Sequence, residues 1–146
     1  MSLSADAEET HTFAGRYDSL AAIGDFVAKG AEAAGLDRRA VHAVELAVDE
    51  ACSNIIDHAY GGQGRGDIEV SYRTNGDGLT VILRDYGQPF DLDRVPQPDL
   101  QAPLNERNGG GLGLHFIREL MDEVRFEFTQ DSGNVLTMTK RKGGVS

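Results

Sequence analysis

The sequence predicts an α/β (α+β) two-layer sandwich, a mixed, mostly antiparallel sheet with helices on one face. Alternating apolar stretches come in pairs joined by turn signals, Asn75-Gly76-Asp77-Gly78 in one case and Asp131-Ser132-Gly133-Asn134 in the other. Two stretches of helical period stand together before the first pair. A chain of 146 residues with 40% apolar content suits one domain around one core.

Residues 1–9 read as an acidic, polar, disordered lead, and residues 10–142 as the domain. Thr10 to Tyr17 can form a short first strand. Asp18 or Ser19 then caps a helix whose apolar set is Leu20, Ile23, Phe26, Val27 and Ala31, and Gly35 ends it. Asp37 caps a longer helix running to about Tyr60, with Val41, Val44, Val48, Cys52 and Ile55 at spacings of three and four. Gly61-Gly62-Gln63-Gly64-Arg65-Gly66 reads as a flexible break. Ile68, Val70 and Tyr72 alternate as a strand, Asn75 to Gly78 turns the chain, and Leu79, Val81 and Leu83 alternate on the return.

No period holds over the segment from residue 88 to about 110, and all four prolines, Pro89, Pro96, Pro98 and Pro103, fall there. A structureless stretch of about twenty residues in a compact domain is usually functional, for instance as a lid. A third helix follows from about Leu112 to Met121. Val124, Phe126 and Phe128 form a strand, and Val135 to Arg141 returns as the last one.

The bulk numbers narrow the function classes. A net charge of −10 gives no electrostatic footprint for nucleic-acid phosphates, so direct DNA or RNA binding is not expected. The single cysteine, Cys52, cannot form an internal disulfide and reads as a small buried apolar group. The first residues lack the basic-then-apolar pattern of a signal peptide, and no apolar run approaches the ~18 residues of a membrane span. The expected location is therefore the cytoplasm, with no membrane contact.

Three constellations carry chemistry. Glu50 and Asn54 are four apart and project from one face of the second helix, roughly opposite Val44, Val48 and Cys52. The amide oxygen can ligate a hard cation such as Mg²⁺, and the carboxylate one turn earlier can take a proton from an attacking hydroxyl. Alone, such a pair is also an ordinary solvated face, although Ala43, Ala47 and Ala51 leave room beside it. Asp85-Tyr86-Gly87 ends an apolar strand, where a carboxylate can accept from an exocyclic amine and Gly87 admits a flat base. Alone it is also a plain Asx turn. Gly109-Gly110-Gly111-Leu112-Gly113-Leu114 feeds a helix start, where converging amides and the helix dipole suit phosphate. Alone it is also a hinge or loop.

In this order the three motifs resemble those of the GHKL ATPases, the Bergerat-fold superfamily that includes gyrase and the histidine kinases. Glu50 to Asn54 is similar to the N box, Asp85 to Gly87 to the first glycine box, and Gly109 to Leu114 to the second. The resemblance runs from about residue 12 to 141. Within the superfamily, Ala47 to Asn54 with His58-Ala59-Tyr60 following is most similar to the small bacterial anti-sigma factor serine/threonine kinases. Where many members carry a second glycine, this chain reads Gln88-Pro89-Phe90, which stiffens the turn into the lid.

The resemblance implies ATP and Mg²⁺ as cofactors. Glu50 is then the general base, Asn54 the Mg²⁺ ligand, and Asp85 the residue that selects adenine. Gly87 shapes the base pocket, and Gly109, Gly110, Gly111, Leu112 and Gly113 line the phosphates. Arg107 is a candidate for the γ-phosphate, and Thr137 or Thr139 for supporting the adenine beside Asp85. The implied activity is protein serine/threonine kinase action on an anti-sigma-factor antagonist, with a sigma factor or similar regulator held in a competing complex and a homodimer as a further expectation. Two alternatives stand beside it: a non-catalytic, ATP-dependent partner-binding module, and an ATPase whose nucleophile is water.

Overall fold

The computed structural model describes residues 7–89 and 113–143. Residues 1–6 of the expected lead lie outside the described residues. So does most of the expected lid, including Arg107 and Gly109, Gly110, Gly111 and Leu112.

The chain order is β1 (Glu8–Ala14), a 3₁₀ turn (Tyr17–Ser19), α1 (Leu20–Ala33), α2 (Arg38–Asn54), a π-helical turn (Ile55–Ala59), β2 (Asp67–Asn75), β3 (Gly78–Asp85), α3 (Gly113–Leu120), β4 (Glu123–Thr129) and β5 (Gly133–Arg141). The strands form one five-stranded sheet in the order β1-β2-β3-β5-β4. Among the described residues every pairing is antiparallel, so the two-layer expectation holds and no parallel pair is mixed in.

Parity along the strands sets the two faces. Ile68, Val70 and Tyr72 of β2, Leu79, Val81 and Leu83 of β3, and Leu136 and Met138 of β5 are buried toward the helices. They meet Ile23, Val27 and Ala31 of α1, Val44, Ala47, Val48, Ala51 and Cys52 of α2, and Leu114 and Ile117 of α3 in one core. Burial of each Val, Leu or Ile side chain contributes roughly 1.5–3 kcal/mol, which is what holds the helices to the sheet.

The helix ends follow their sequence signals. Asp37 caps α2, its carboxylate accepting from Ala40 N at 2.8 Å. Gly35 closes α1 at φ +84°, with Leu36 N donating to Ala31 O and Gly35 N to Glu32 O, a Schellman arrangement. Ser19 makes no side-chain cap bond, because a 3₁₀ turn leads into α1 instead.

Several boundaries differ from the sequence reading, the start of β5 at Gly133 rather than Val135 among them. β1 begins at Glu8 and ends at Ala14, because Glu8 and Glu9 pair with Arg73 and Tyr72 of β2. The second helix does not run unbroken to Tyr60. It ends at Asn54 and continues as a π turn, with Tyr60 N donating to Ile55 O at 3.0 Å. The stretch Gly61 to Gly66 is tied down rather than a free break. Gly15 N donates to Gly66 O at 2.8 Å, Gly64 N to Gly15 O at 3.0 Å, and Gly62 N to Ile56 O at 2.8 Å.

Candidate functional site

Parity also places Asp85. It follows Leu79, Val81 and Leu83 on the helix-facing side of β3, at the strand's end, and is 2% exposed. Two donors meet its Oδ1: Asn134 Nδ2 at 2.7 Å and Gly87 N at 2.9 Å. Among the described residues none donates to Oδ2. Burial pushes the Asp85 carboxyl above its ordinary value, and the bonds from Asn134 and Gly87 partly oppose that rise. The result is a desolvated carboxylate with one oxygen held and the other able to accept.

Asn134 is the residue that sequence reasoning missed, having been read as part of a turn. It pairs with Asp85 across the β3–β5 ladder and is fully inside. Its Nδ2 also faces Gly87 O at 3.2 Å and Gln88 O at 3.5 Å. Thr137 and Thr139, the expected supports of the base, are corrected here. They are out of phase with Leu136 and Met138 and stand on the opposite, outer face of the sheet, where Thr139 Oγ1 meets Thr80 Oγ1. The signal that finds Asn134 is the same alternation: it is in step with Leu136 and Met138.

On the helix side, Glu50 and Asn54 do share a face of α2, with Asn54 Nδ2 directed at Glu50 Oε2 at 3.5 Å. Asn54 is buried, however, and Glu50 is half-buried, so this is not the solvated polar face that the helix period alone allows. The Asn54 amide is turned with its donor toward Glu50. Among the described residues, no group donates to its Oδ1, which leaves a neutral oxygen of the kind that suits a hard cation. Nor is any cluster of three or more His, Cys, Asp or Glu side chains found among them. A cation here would rest on that single protein oxygen and on phosphate oxygens, the usual arrangement for Mg²⁺ with nucleotides.

The π turn joins the two sides. Its Ala59 carbonyl accepts from Gln88 N at 2.8 Å. The backbones are so close that a Cβ at Gly87 would fall 2.5 Å from Ala59 O. Tyr60, next in the chain, donates its hydroxyl to Asp67 O at 2.5 Å and accepts from Tyr86 N at 3.1 Å. Cys52 lies fully buried between the layers. Its thiol is pushed up by burial first and then by the charges of Asp49 and Asp85. Single-turn π insertions often occur at functional positions. This one follows Asn54 directly and holds the loop after Asp85.

Gly113 opens α3, as expected for the end of the glycine run, whereas the rest of that run lies outside the described residues. No helix among the described residues is long and apolar enough to cross a membrane.

Comparison with known proteins agrees with this geometry. The histidine kinase-like ATPase domain family matches residues 13–140. The chain is 41% identical over 101 residues to the serine-protein kinase RsbW of Halalkalibacterium halodurans, covering 66% of this chain and 60% of that one. It is 37% identical over 106 residues to the RsbW of Bacillus subtilis, covering 69% and 64%. It is 36% identical over 114 residues to the RsbW of Listeria monocytogenes, covering 75% and 71%. The chain thus spans about 60% to 64% of the first two of these relatives. A crystal structure of the RsbU and RsbW domains of a Mycobacterium tuberculosis protein shares the fold at TM-score 0.65 and 19% identity, covering 92% of this chain and 32% of that one.

Proposed function

The chain belongs to the histidine kinase-like ATPase domain family, and we propose that it is a protein serine/threonine kinase that binds Mg²⁺–ATP and phosphorylates an anti-sigma-factor antagonist in the cytoplasm. In the same reading it sequesters a sigma factor or an equivalent regulator in a competing complex. The observation that carries the nucleotide reading is the junction at the π turn. It ties the turn that follows Asn54 to the loop that follows Asp85, which supports a reading in which base, metal and reacting hydroxyl each have a residue of suitable chemistry. The kinase reading rests further on relatives that are themselves serine-protein kinases.

In this mechanism Asp85 accepts from the exocyclic amine of adenine while Gly87 leaves room for the ring. Asn54 offers its Oδ1 to Mg²⁺, which when bound neutralises charge on the β- and γ-phosphates. The partner's hydroxyl oxygen bonds to the γ-phosphorus as the bond to the β,γ-bridging oxygen breaks and ADP leaves. Glu50 orients that hydroxyl and takes its proton on the carboxylate. Backbone amides of Gly109 to Gly113 would line the transferring phosphoryl, where fixed dipoles are most effective.

Calorimetry of ATP binding with and without Mg²⁺, with Asp85→Asn as control, tests the pocket. Transfer of labelled phosphate to a serine of a cognate anti-sigma-factor antagonist tests the activity. Metal-dependent binding lost in Asp85→Asn, together with transfer, is the expected outcome. Binding without transfer would leave an ATP-dependent partner-binding module, and hydrolysis without a protein acceptor would make water the nucleophile.

A further inference from the structure

β4 is an edge of the sheet. Among the described residues it pairs with β5 on one side and with no strand on the other. An open edge offers a row of backbone N–H and C=O groups to another chain, and natural edges are often blunted by proline, a bulge or lysines. β4 has none of these. Glu123–Thr129 keeps an unbroken register with β5 and contains no proline, glycine or lysine. On its helix-facing side Val124 and Phe126 are half-buried and Phe128 is 45% exposed, so the short helix α3 leaves that side partly uncovered.

The outer side of β4 alternates in charge. Glu123 is paired with Arg141. Arg125 and Glu127 have no ion-pair partner among the described residues, and across β5 they face the neutral Thr137 and Val135. Laid antiparallel against a second copy of itself and centred on Phe126, β4 sets Arg125 opposite Glu127 of the second copy, and the two-fold repeats that pair. On the other side Val124 meets Phe128 of the second copy, and Phe126 meets its own counterpart. Opposite charges and apolar side chains thus find each other on their own faces, as cross-strand pairs require. This register uses the whole strand. Centring on Arg125 or on Glu127 leaves only residues 123–127 or 125–129 paired and sets like charges opposite each other. The sheet's other edge, β1, carries Glu8 and Glu9 and no lysine or arginine, so it has no comparable register with itself.

We infer that β4 is a self-association edge, at which two copies of this chain join by antiparallel pairing of β4 about a two-fold axis through Phe126, so that their two sheets become one. The contact is edge to edge. The outer face of the sheet, where Thr80 meets Thr139, stays open in it. Two strands of this length make a small interface, so the association is weak and depends on concentration. Nothing in it depends on how the cleft at Asp85 is read.

Two measurements test this together. The first is sedimentation velocity of the whole chain over a range of concentrations, in which wild type should pass from monomer to dimer as concentration rises. Arg125→Glu and Glu127→Arg each turn both charge pairs into repulsions and should weaken the association by about tenfold. The double variant Arg125→Glu/Glu127→Arg should restore it. Both side chains are exposed, so these variants keep the fold. The second is cysteine trapping. In an oxidised mixture of Arg125→Cys and Glu127→Cys chains a mixed disulfide dimer should form, because directly opposite Cα atoms lie about 4.5–5.5 Å apart, within disulfide reach. Neither variant alone should cross-link as fast, and the native Cys52 is buried and takes no part. A monomer at every concentration would overturn the inference. So would a dimer whose affinity ignores both charge reversals, or cross-linking no faster in the mixture than in either variant alone, since each places the contact elsewhere.

Discussion

Asp85 and Asn134 face each other across the β3–β5 ladder, and Asn134 Nδ2 donates to Asp85 Oδ1 at 2.7 Å. Both are buried polar side chains, which is costly unless they are hydrogen-bonded. A carboxylate kept in so dry a place is a functional commitment, and it has a thermodynamic signature.

Asp85→Asn should bind ATP about 10- to 100-fold more weakly, the range expected for losing a charged hydrogen-bond partner. It should melt no lower than wild type, because the variant removes a buried charge and keeps a side chain that can still accept from Asn134 and Gly87. Loss of ATP binding in calorimetry with an unchanged or higher Tm is the expected pair of results. A variant that melts well below wild type would mean that the carboxylate holds the fold rather than the ligand.

The same group makes a pH prediction. Burial raises the Asp85 carboxyl above its ordinary value of 3.8, so the folded chain holds this proton more tightly than the unfolded one. Its contribution to stability is therefore fully present below 3.8 and is withdrawn as pH rises through the raised value. Tm measured against pH for wild type and Asp85→Asn should diverge in favour of the variant across that window and run parallel above it. ATP affinity of wild type should rise over the same window, as the carboxylate that accepts the amine forms.

Much of this was legible in the chain, and the limits have physical causes. The helix caps at Asp37 and Gly35, the core faces of α1 and α2, and the inward position of Asp85 all follow from periodicity and local chemistry, and the structure agrees. Asn134 was hidden because Gly133-Asn134 reads equally well as turn chemistry, and only strand parity with Leu136 and Met138 separates the two. The π turn was hidden because an added residue in a helix leaves no mark in composition. Its cause is tertiary: Ala59 O is drawn to Gln88 N, and Gly62 N reaches back to Ile56 O. β1 was misplaced by two residues at its start because Glu8 and Glu9 look like solvated lead until Arg73 and Tyr72 pair with them. Glu8 then meets Arg73 and Glu9 the Tyr72 hydroxyl.

Glu50→Gln tests the base. The variant keeps the size and polarity next to Asn54 but cannot take a proton. ATP affinity should stay within about twofold of wild type while phosphoryl transfer falls by roughly 10²- to 10⁴-fold, the span of general-base contributions. Single-turnover transfer to the partner protein measures this directly. Transfer at the wild-type rate would remove Glu50 from the chemistry and leave it as a neighbour of Asn54.

Asn54→Ala tests the metal. Its Oδ1 is the neutral oxygen of the α2 pair, so its loss should abolish the Mg²⁺-dependent part of ATP binding and spare the metal-independent part. Calorimetry of ATP with Mg²⁺ and with a chelator separates the two. A variant whose affinity still responds to Mg²⁺ as wild type does would place the cation elsewhere.

Gly87→Ala tests the junction. The added Cβ would sit 2.5 Å from Ala59 O and 2.6 Å from Ala59 C, both backbone atoms that no rotamer change can move aside. The loop must retreat from the π turn, which stretches the 2.8 Å bond from Gln88 N to Ala59 O and draws Gly87 N away from Asp85 Oδ1. The expected stability loss is about 1–3 kcal/mol, the usual range for forcing extra volume into a packed site. Loss of the Gly87 bond removes one of the two groups that hold Asp85, so ATP binding should weaken by more than the melting shift alone explains. Gly133→Ala is the matched comparison. Its Cβ also meets backbone, Asp85 O at 2.4 Å, and its φ of +75° disfavours any side chain, yet its clash lies on the strand side of Asp85 rather than at the π turn. If the π turn sets the base site, hydrogen exchange at Tyr60 and Gly62, whose amides bond Ile55 O and Ile56 O, should accelerate in Gly87→Ala and not in Gly133→Ala. Equal protection in both variants would show that the turn and the base loop are neighbours without being coupled.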